Sequence, residues 1–294
     1  MWKQETALSP SNLDRPAPRS VLYVPASNPR AIAKARELAA DAVFLDLEDA
    51  VAPEMKDAAR AAAVEAVREG FGERLVAIRC NHLRSEWGEA DWAAAVEAAP
   101  DAILAPKISG AGDIAACERL IEGAPGRTRL WVMIETAEAI LNLREVATAA
   151  RESRLQALIA GTNDLVLELR CRRTADRAPL LPALAMLVAA ARAHSLWALD
   201  GVFNGFSDAA GFEAECRQGV NFGFDGKTLI HPSQVEPCNR IFSPSGDQVA
   251  WARAVAAAFE APEAAGKGAI SLNGKMIERL HLEEARRVLA RTDV

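Results

Sequence analysis

The sequence predicts a (β/α)8 TIM barrel, an α/β fold, with a C-terminal helical lid extension. Three observations predict it. A chain of 294 residues, half of them hydrophobic, can bury one large core. Short apolar runs alternate with longer Ala-rich segments of 3.6-residue period, the pattern of βα units around a parallel sheet. The alternation repeats eight times, which favours a closed barrel over an open sheet. The expected strands cover residues 21–24, 43–47, 75–80, 102–106, 130–135, 157–160, 197–200 and 222–224, each followed by a helix. The catalytic barrel is expected over 19–243, after a mobile N-terminal arm of 1–18. Residues 244–294 exceed what a barrel needs: a helix near 247–261, a glycine-containing stretch at 266–274 and an amphipathic helix near 276–290. They read as a lid or oligomerisation extension.

Composition excludes several function classes. A formal charge of −6 argues against a general nucleic-acid surface. Charged residues interrupt every apolar run before it reaches membrane-spanning length, and the N-terminus lacks the basic-then-apolar pattern of a secretion signal. A soluble, cytoplasmic protein is expected. The five cysteines, Cys80, Cys117, Cys171, Cys216 and Cys238, are odd in number and scattered, so neither a disulfide framework nor a zinc cluster is indicated. Residues 110–115 fit the dinucleotide pattern G-x-G-x-x-A but follow the fourth strand, and a glycine turn with Asp113 capping the next helix accounts for them. There is neither a P-loop nor a G-x-S-x-G elbow. His82 and His194 read as surface or packing residues.

In a barrel of this kind the C-terminal strand ends form the active-site mouth. The polar residues expected there are Asp46, Glu48 and Asp49 after strand two, Arg79 and Asn81 on strand three, Lys107 after strand four, Glu135 on strand five, Asn163 and Asp164 after strand six, Asp200 on strand seven, and Lys227 and His231 beyond strand eight. Two carboxylates from adjacent strands, Glu135 and Asp164, suit a hard cation that keeps water or substrate oxygens. Mg²⁺ is the first choice and Mn²⁺ its substitute. Either carboxylate alone would read as a helix cap; together with Arg79 and Lys107 the metal reading is preferred. Asp46, Glu48 and Asp49 are expected to support Arg79 or Lys107 through ion pairs.

Several of these segments occur in the order found in one family. They are Leu22-Tyr23-Val24-Pro25-Ala26-Ser27, Phe44-Leu45-Asp46-Leu47-Glu48-Asp49-Ala50-Val51, Ile78-Arg79-Cys80-Asn81, Leu104-Ala105-Pro106-Lys107, Ile134-Glu135-Thr136-Ala137 and residues 223–232 ending in Ile230-His231-Pro232. Over nearly its whole length the sequence resembles the citrate lyase β-subunit/malyl-CoA lyase family, within the HpcH/HpaI aldolase superfamily. The resemblance implies a (β/α)8 fold, Mg²⁺ held by Glu135 and Asp164, a substrate-contacting Arg79, CoA-thioester substrates and a homotrimer or hexamer. It extends substrate or CoA contact to Tyr23, Lys34, Asn163, Ile230 and His231, with Lys107 and Asp200 in support. An acid/base aspartate of a Met-Ile-Asp segment is matched by Met276-Ile277-Glu278, so Glu278 inherits the proton-transfer role with a longer side chain. Asn28 stands where relatives place an arginine near the CoA phosphates.

The activity so implied is reversible retro-Claisen cleavage of a 3-hydroxy-3-carboxyacyl-CoA (malyl-, methylmalyl- or citramalyl-CoA) to an acyl-CoA and a 2-oxo acid. The alternatives are a malyl-CoA thioesterase, a class II 2-oxo acid aldolase, and a β-subunit acting on a carrier-protein thioester inside a citrate lyase-like complex.

Overall fold

The structure, a computed structural model, describes residues 16–261 and 266–292. The expected N-terminal arm falls outside the described residues except at its last three positions. Ala17–Phe242 form one compact unit and the chain from Ser243 onward a second.

The first unit is a closed parallel barrel of β1 (Ser20–Pro25), β2 (Ala42–Asp46), β3 (Leu75–Arg79), β4 (Ala102–Ala105), β5 (Arg129–Ile134), β6 (Leu155–Ala160), β7 (Trp197–Asp200) and β8 (Gly226–Leu229). β8 closes on β1 through Ser20↔Lys227 and Val21↔Thr228. Because successive side chains point to opposite faces, alternate residues fill two distinct cores. Phe44, Trp131, Met133, Trp197 and Leu199 pack inside the barrel, whereas Leu45, Val132 and Ala198 pack outward among the helices. Inside, Tyr23, Phe44, Trp131 and Trp197 form an edge-to-face chain with ring centroids 4.8, 5.6 and 5.7 Å apart, a packed floor beneath the mouth.

Seven strands lie where the sequence places them, within two residues at either end. The eighth does not. Residues 222–224 are not a strand: Phe222 ends the helix Ala209–Phe222, Gly223 caps it with φ +92°, and the strand begins at Gly226. Lys227 and Thr228 make this strand look polar, but both are buried.

The second unit pairs helix Gly246–Glu260 with helix Arg279–Leu289 around Ala252, Val255, Ile277 and Ala285. Between them runs a hairpin of β9 (Ala269–Leu272) and β10 (Lys275–Glu278), turned by Asn273 and Gly274, both at positive φ. The last helix thus begins at Arg279, and Met276-Ile277-Glu278 is a strand rather than its first turn. Alternation buries Ile277 and puts Met276 and Glu278 on the other face of the strand.

Candidate active site

Glu135 follows β5 directly and is 2 % exposed. Its Oε1 accepts the Lys107 amide at 2.7 Å. To aim that amide, Lys107 adopts φ +54°, a conformation that side-chain-bearing residues rarely take, right at the end of β4. Gly161, after β6, makes room for the carboxylate: a Cβ there would lie 2.4 Å from both Cβ and Oε2 of Glu135. Burial, then the neighbouring charges of Glu48 and Asp164, push the Glu135 carboxyl up to about 8. Asp164, in the first turn of helix Thr162–Glu168, is also raised, by burial and then by Asp49. Glu135, Asp164 and Lys107 line one cavity of about 600 Å³.

Beside them Arg79, 6 % exposed, is held as a fork. Its Nε and Nη2 donate to the two oxygens of Asp46 at 2.7 and 2.6 Å. Nη1 lies 2.9 Å from Glu48 Oε2 as an ion pair and makes long contacts to Asp49, at 3.3 Å, and to Met133 Sδ, at 3.8 Å. The Tyr23 ring lies under the guanidinium, 4.8 Å from its carbon. Glu48 also binds Lys107 Nζ at 2.7 Å, so it joins the arginine to the wall that holds Glu135. Burial raises the Glu48 carboxyl above its ordinary value, against the pull of Arg79.

Lys56 went unnoticed in the sequence. It is 5 % exposed, and its ammonium spends three bonds at 2.7, 2.7 and 2.9 Å on the carbonyls of Leu47 and Glu48 and on Asn81 Oδ1. Asn81 Nδ2 donates in turn to Leu47 O and to buried Asp91. This bracket fixes the backbone that carries Glu48. A lysine in an Ala-rich helix looks like a solvated charge, and only contacts distant in sequence show otherwise.

The other candidates divide. Asn163 accepts hydrogen bonds from Arg173 and Asn204, both at 2.7 Å. Ile230 is 40 % exposed, and His231 accepts the Ser233 amide and stacks on exposed Phe206 at 5.3 Å. Lys34 pairs with Glu37 at the surface, and Asn28 caps the helix Pro29–Ala35. Asp200 and Lys227 are not at the mouth. Trp197 and Leu199 face inward, so Asp200 faces the helices, where it pairs with Lys227 at 3.2 Å and Arg177 at 2.7 Å. Glu278 lies in the second unit, where it caps the last helix and its amide donates to His281 Nδ1 at 3.0 Å.

Comparison with known proteins bears on the same barrel. The model of the family described as HpcH/HpaI aldolase/citrate lyase matches residues 19–232. A (3S)-malyl-CoA thioesterase of Cereibacter sphaeroides is 46 % identical over 94 % of each chain. The citrate lyase subunit beta of Escherichia coli is 36 % identical over 94 % of this chain and 93 % of its own. Among solved structures, the CitE protein of Mycobacterium tuberculosis in complex with magnesium, acetoacetate and coenzyme A superposes with a TM-score of 0.76 and 28 % identity, covering 94 % of this chain and 98 % of that one. With the closed barrel and this extent of similarity, the chain is an enzyme of the HpcH/HpaI aldolase/citrate lyase family, whose members include carbon–carbon lyases.

Proposed function

We propose that the protein cleaves 3-hydroxy-3-carboxyacyl-CoA thioesters to an acyl-CoA and a 2-oxo acid, with Mg²⁺ bound by Glu135 and Asp164. The observation that carries this reading is the meeting of two carboxylates that follow adjacent strands, Glu135 and Asp164, with Lys107 around one cavity, and the Glu48 link that joins Lys107 to Arg79 beside it. The donor set fits a divalent cation. Glu135 is too buried to ionise easily beside Glu48 and Asp164 unless positive charge joins it. Two carboxylates supply only part of a six-oxygen shell, so water and substrate oxygens would complete it, as is usual for Mg²⁺. Mn²⁺, with similar preferences, is its substitute.

When bound, the cation supplies Lewis-acid polarisation of the substrate's hydroxyl and carboxylate oxygens. The chain supplies the rest. Arg79 Nη1, whose contacts to Asp49 and Met133 are long, donates to the thioester oxygen as the C2–C3 pair becomes an enolate. The hydroxyl gives its proton to water, its oxygen forms the carbonyl of the 2-oxo acid, the electron pair of the C2–C3 bond passes to the thioester as an enolate, and a proton returns to C2. We assign that proton to Glu278, delivered by the C-terminal lid of a neighbouring subunit in a cytoplasmic homotrimer or hexamer. This assignment draws on the family resemblance and on the engagement of the other mouth carboxylates with metal or arginine. Substrate or CoA contact by Tyr23, Lys34, Asn163, Ile230 and His231 belongs to the same reading.

A second reading, hydrolysis, is favoured by the 46 % identity to a malyl-CoA thioesterase. There water adds to the thioester and the CoA thiolate leaves. Purified chain with Mg²⁺ and a panel of such thioesters separates the two. Acyl-CoA plus 2-oxo acid is the expected product pair. Free CoA plus the hydroxy diacid would replace cleavage by hydrolysis, and no turnover without a partner would assign the chain to a citrate lyase-like complex.

A further inference from the structure

Asp46 takes Nε and Nη2 of Arg79, at 2.7 and 2.6 Å, so the direction of Nη1 is set by its one short contact, the ion pair with Glu48 Oε2 at 2.9 Å. The same carboxylate holds Lys107 Nζ through Oε1 at 2.7 Å. What places Glu48 lies behind it. Just past β2 the chain turns: the carbonyls of Leu47 and Glu48, which would point to opposite sides of an extended strand, both accept from the Lys56 ammonium at 2.7 Å. The third ammonium donor goes to Asn81 Oδ1 at 2.9 Å. Asn81 cannot turn away, because its Nδ2 donates to Leu47 O and to Asp91. Asp91 in turn accepts the Asn81 amide at 3.0 Å and Arg60 Nε at 2.7 Å. The Trp87 ring covers the ammonium, with its centroid 4.9 Å away. Lys56 thus has every donor spent, and Glu48 alone stands between it and Arg79.

We infer that Lys56 is a positioning residue: by holding the Leu47–Glu48 turn it sets the carboxylate that aims Nη1 of Arg79 and anchors Lys107. The inference rests on the reading of Arg79 as the donor to the thioester oxygen. A lysine with a purely structural task would, when replaced, lower stability and leave the arginine of the folded protein where it is. A positioning lysine moves the arginine. Tyr23 reports the difference, because it is the only tyrosine in the chain and its ring lies under the Arg79 guanidinium, 4.8 Å from its carbon.

Nuclear magnetic resonance of protein carrying ring-¹³C-tyrosine tests this without turnover. Arg79→Lys should shift the Tyr23 ring signals, Lys56→Met should shift them too, and Lys56→Met added to Arg79→Lys should shift them little further. Kinetics give the same cycle with whichever thioester is turned over. Lys56→Met should lower kcat by up to about a hundredfold with KM little changed, the scale of a misplaced catalytic group, and should cost little more in the Arg79→Lys background. Lys56→Gln, which keeps a donor to one carbonyl, should give a smaller shift and a smaller loss, and it carries the test if Lys56→Met does not fold. Tyr23 signals unmoved in a folded Lys56 variant, or losses that add in full to those of Arg79→Lys, overturn the inference. A wild type that turns over no thioester would remove the lyase reading, and the Tyr23 signals would still decide whether Lys56 places Arg79.

Discussion

Glu135 is the residue at which the proposed function would cost stability. Without a cation its carboxyl titrates near 8 in the folded protein, against about 4.3 in an unfolded chain. Between those values the folded state binds the extra proton, so stability contributed by protonated Glu135 is full at acid pH and falls as pH rises toward 8. In chelator at pH 8, Glu135→Gln should therefore melt above the wild type, and Mg²⁺ should raise the wild-type midpoint but not the variant's. Thermal melts with and without Mg²⁺ decide this, and a wild-type midpoint indifferent to Mg²⁺ would remove the metal assignment. Arg79 is tested by geometry rather than charge. Arg79→Lys keeps the cation but cannot span both oxygens of Asp46 while reaching Glu48. Turnover should fall by roughly a hundredfold or more, the scale of a lost transition-state donor. Steady-state kinetics near the wild-type level would reduce Arg79 to an ion-pair partner of the three acids around it.

Strand ends made most of the site legible in the sequence. Apolar runs located seven strands, and each then exposed its last polar residue: Asp46, Arg79, Lys107 and Glu135 all came from that rule. What the rule lacked was parity. Asp200 ends β7 as Glu135 follows β5, yet the inward side chains of β7 are Trp197 and Leu199, so Asp200 points to the helices. β8 was misplaced because Lys227 hides a buried strand behind a charge that only Asp200 and Glu215 neutralise. Lys56 escaped for the same reason, since its partners lie just past the ends of β2 and β3. The ion cluster at β7 and β8 makes a prediction of its own. Asp200→Asn would leave Lys227 and Arg177 buried with Glu215 alone, a loss of about 3–5 kcal/mol on the scale of broken buried pairs. Burial opposes the Asp200 charge, but Lys227 and then Arg177 outweigh it and hold the carboxyl below its ordinary value. Its contribution is thus present above about pH 3.9 and lost as pH falls through the lower folded value. Urea unfolding should show the wild type well above the variant at pH 7 and the gap narrowing in strong acid.

At the scale of the whole molecule, one unit carries Arg79 and the proposed metal ligands Glu135 and Asp164, and the other carries Glu278. Glu278 lies half-buried on the same face of β10 as exposed Met276, while Ile277 between them anchors the strand in its own small core. If it protonates the enolate, Glu278→Gln keeps the shape, removes the proton and should lower turnover by roughly a hundredfold or more, with little change in substrate binding. Truncation before Met276 gives the contrasting case: if Glu278→Gln is fully active and the truncated chain is not, the second unit only closes the site. Mixing variants locates the donor. Glu278→Gln and Glu135→Gln chains are each expected to be inactive alone. If the carboxyl acts across a subunit boundary, co-refolded mixtures contain sites with an intact barrel from the first variant and an intact Glu278 from the second, and activity returns. If each chain serves its own barrel, every site in the mixture lacks one group and no activity returns. Recovery measured against the mixing ratio therefore tests the shared site directly, because only a site built from two chains can be repaired by a chain that is itself inactive.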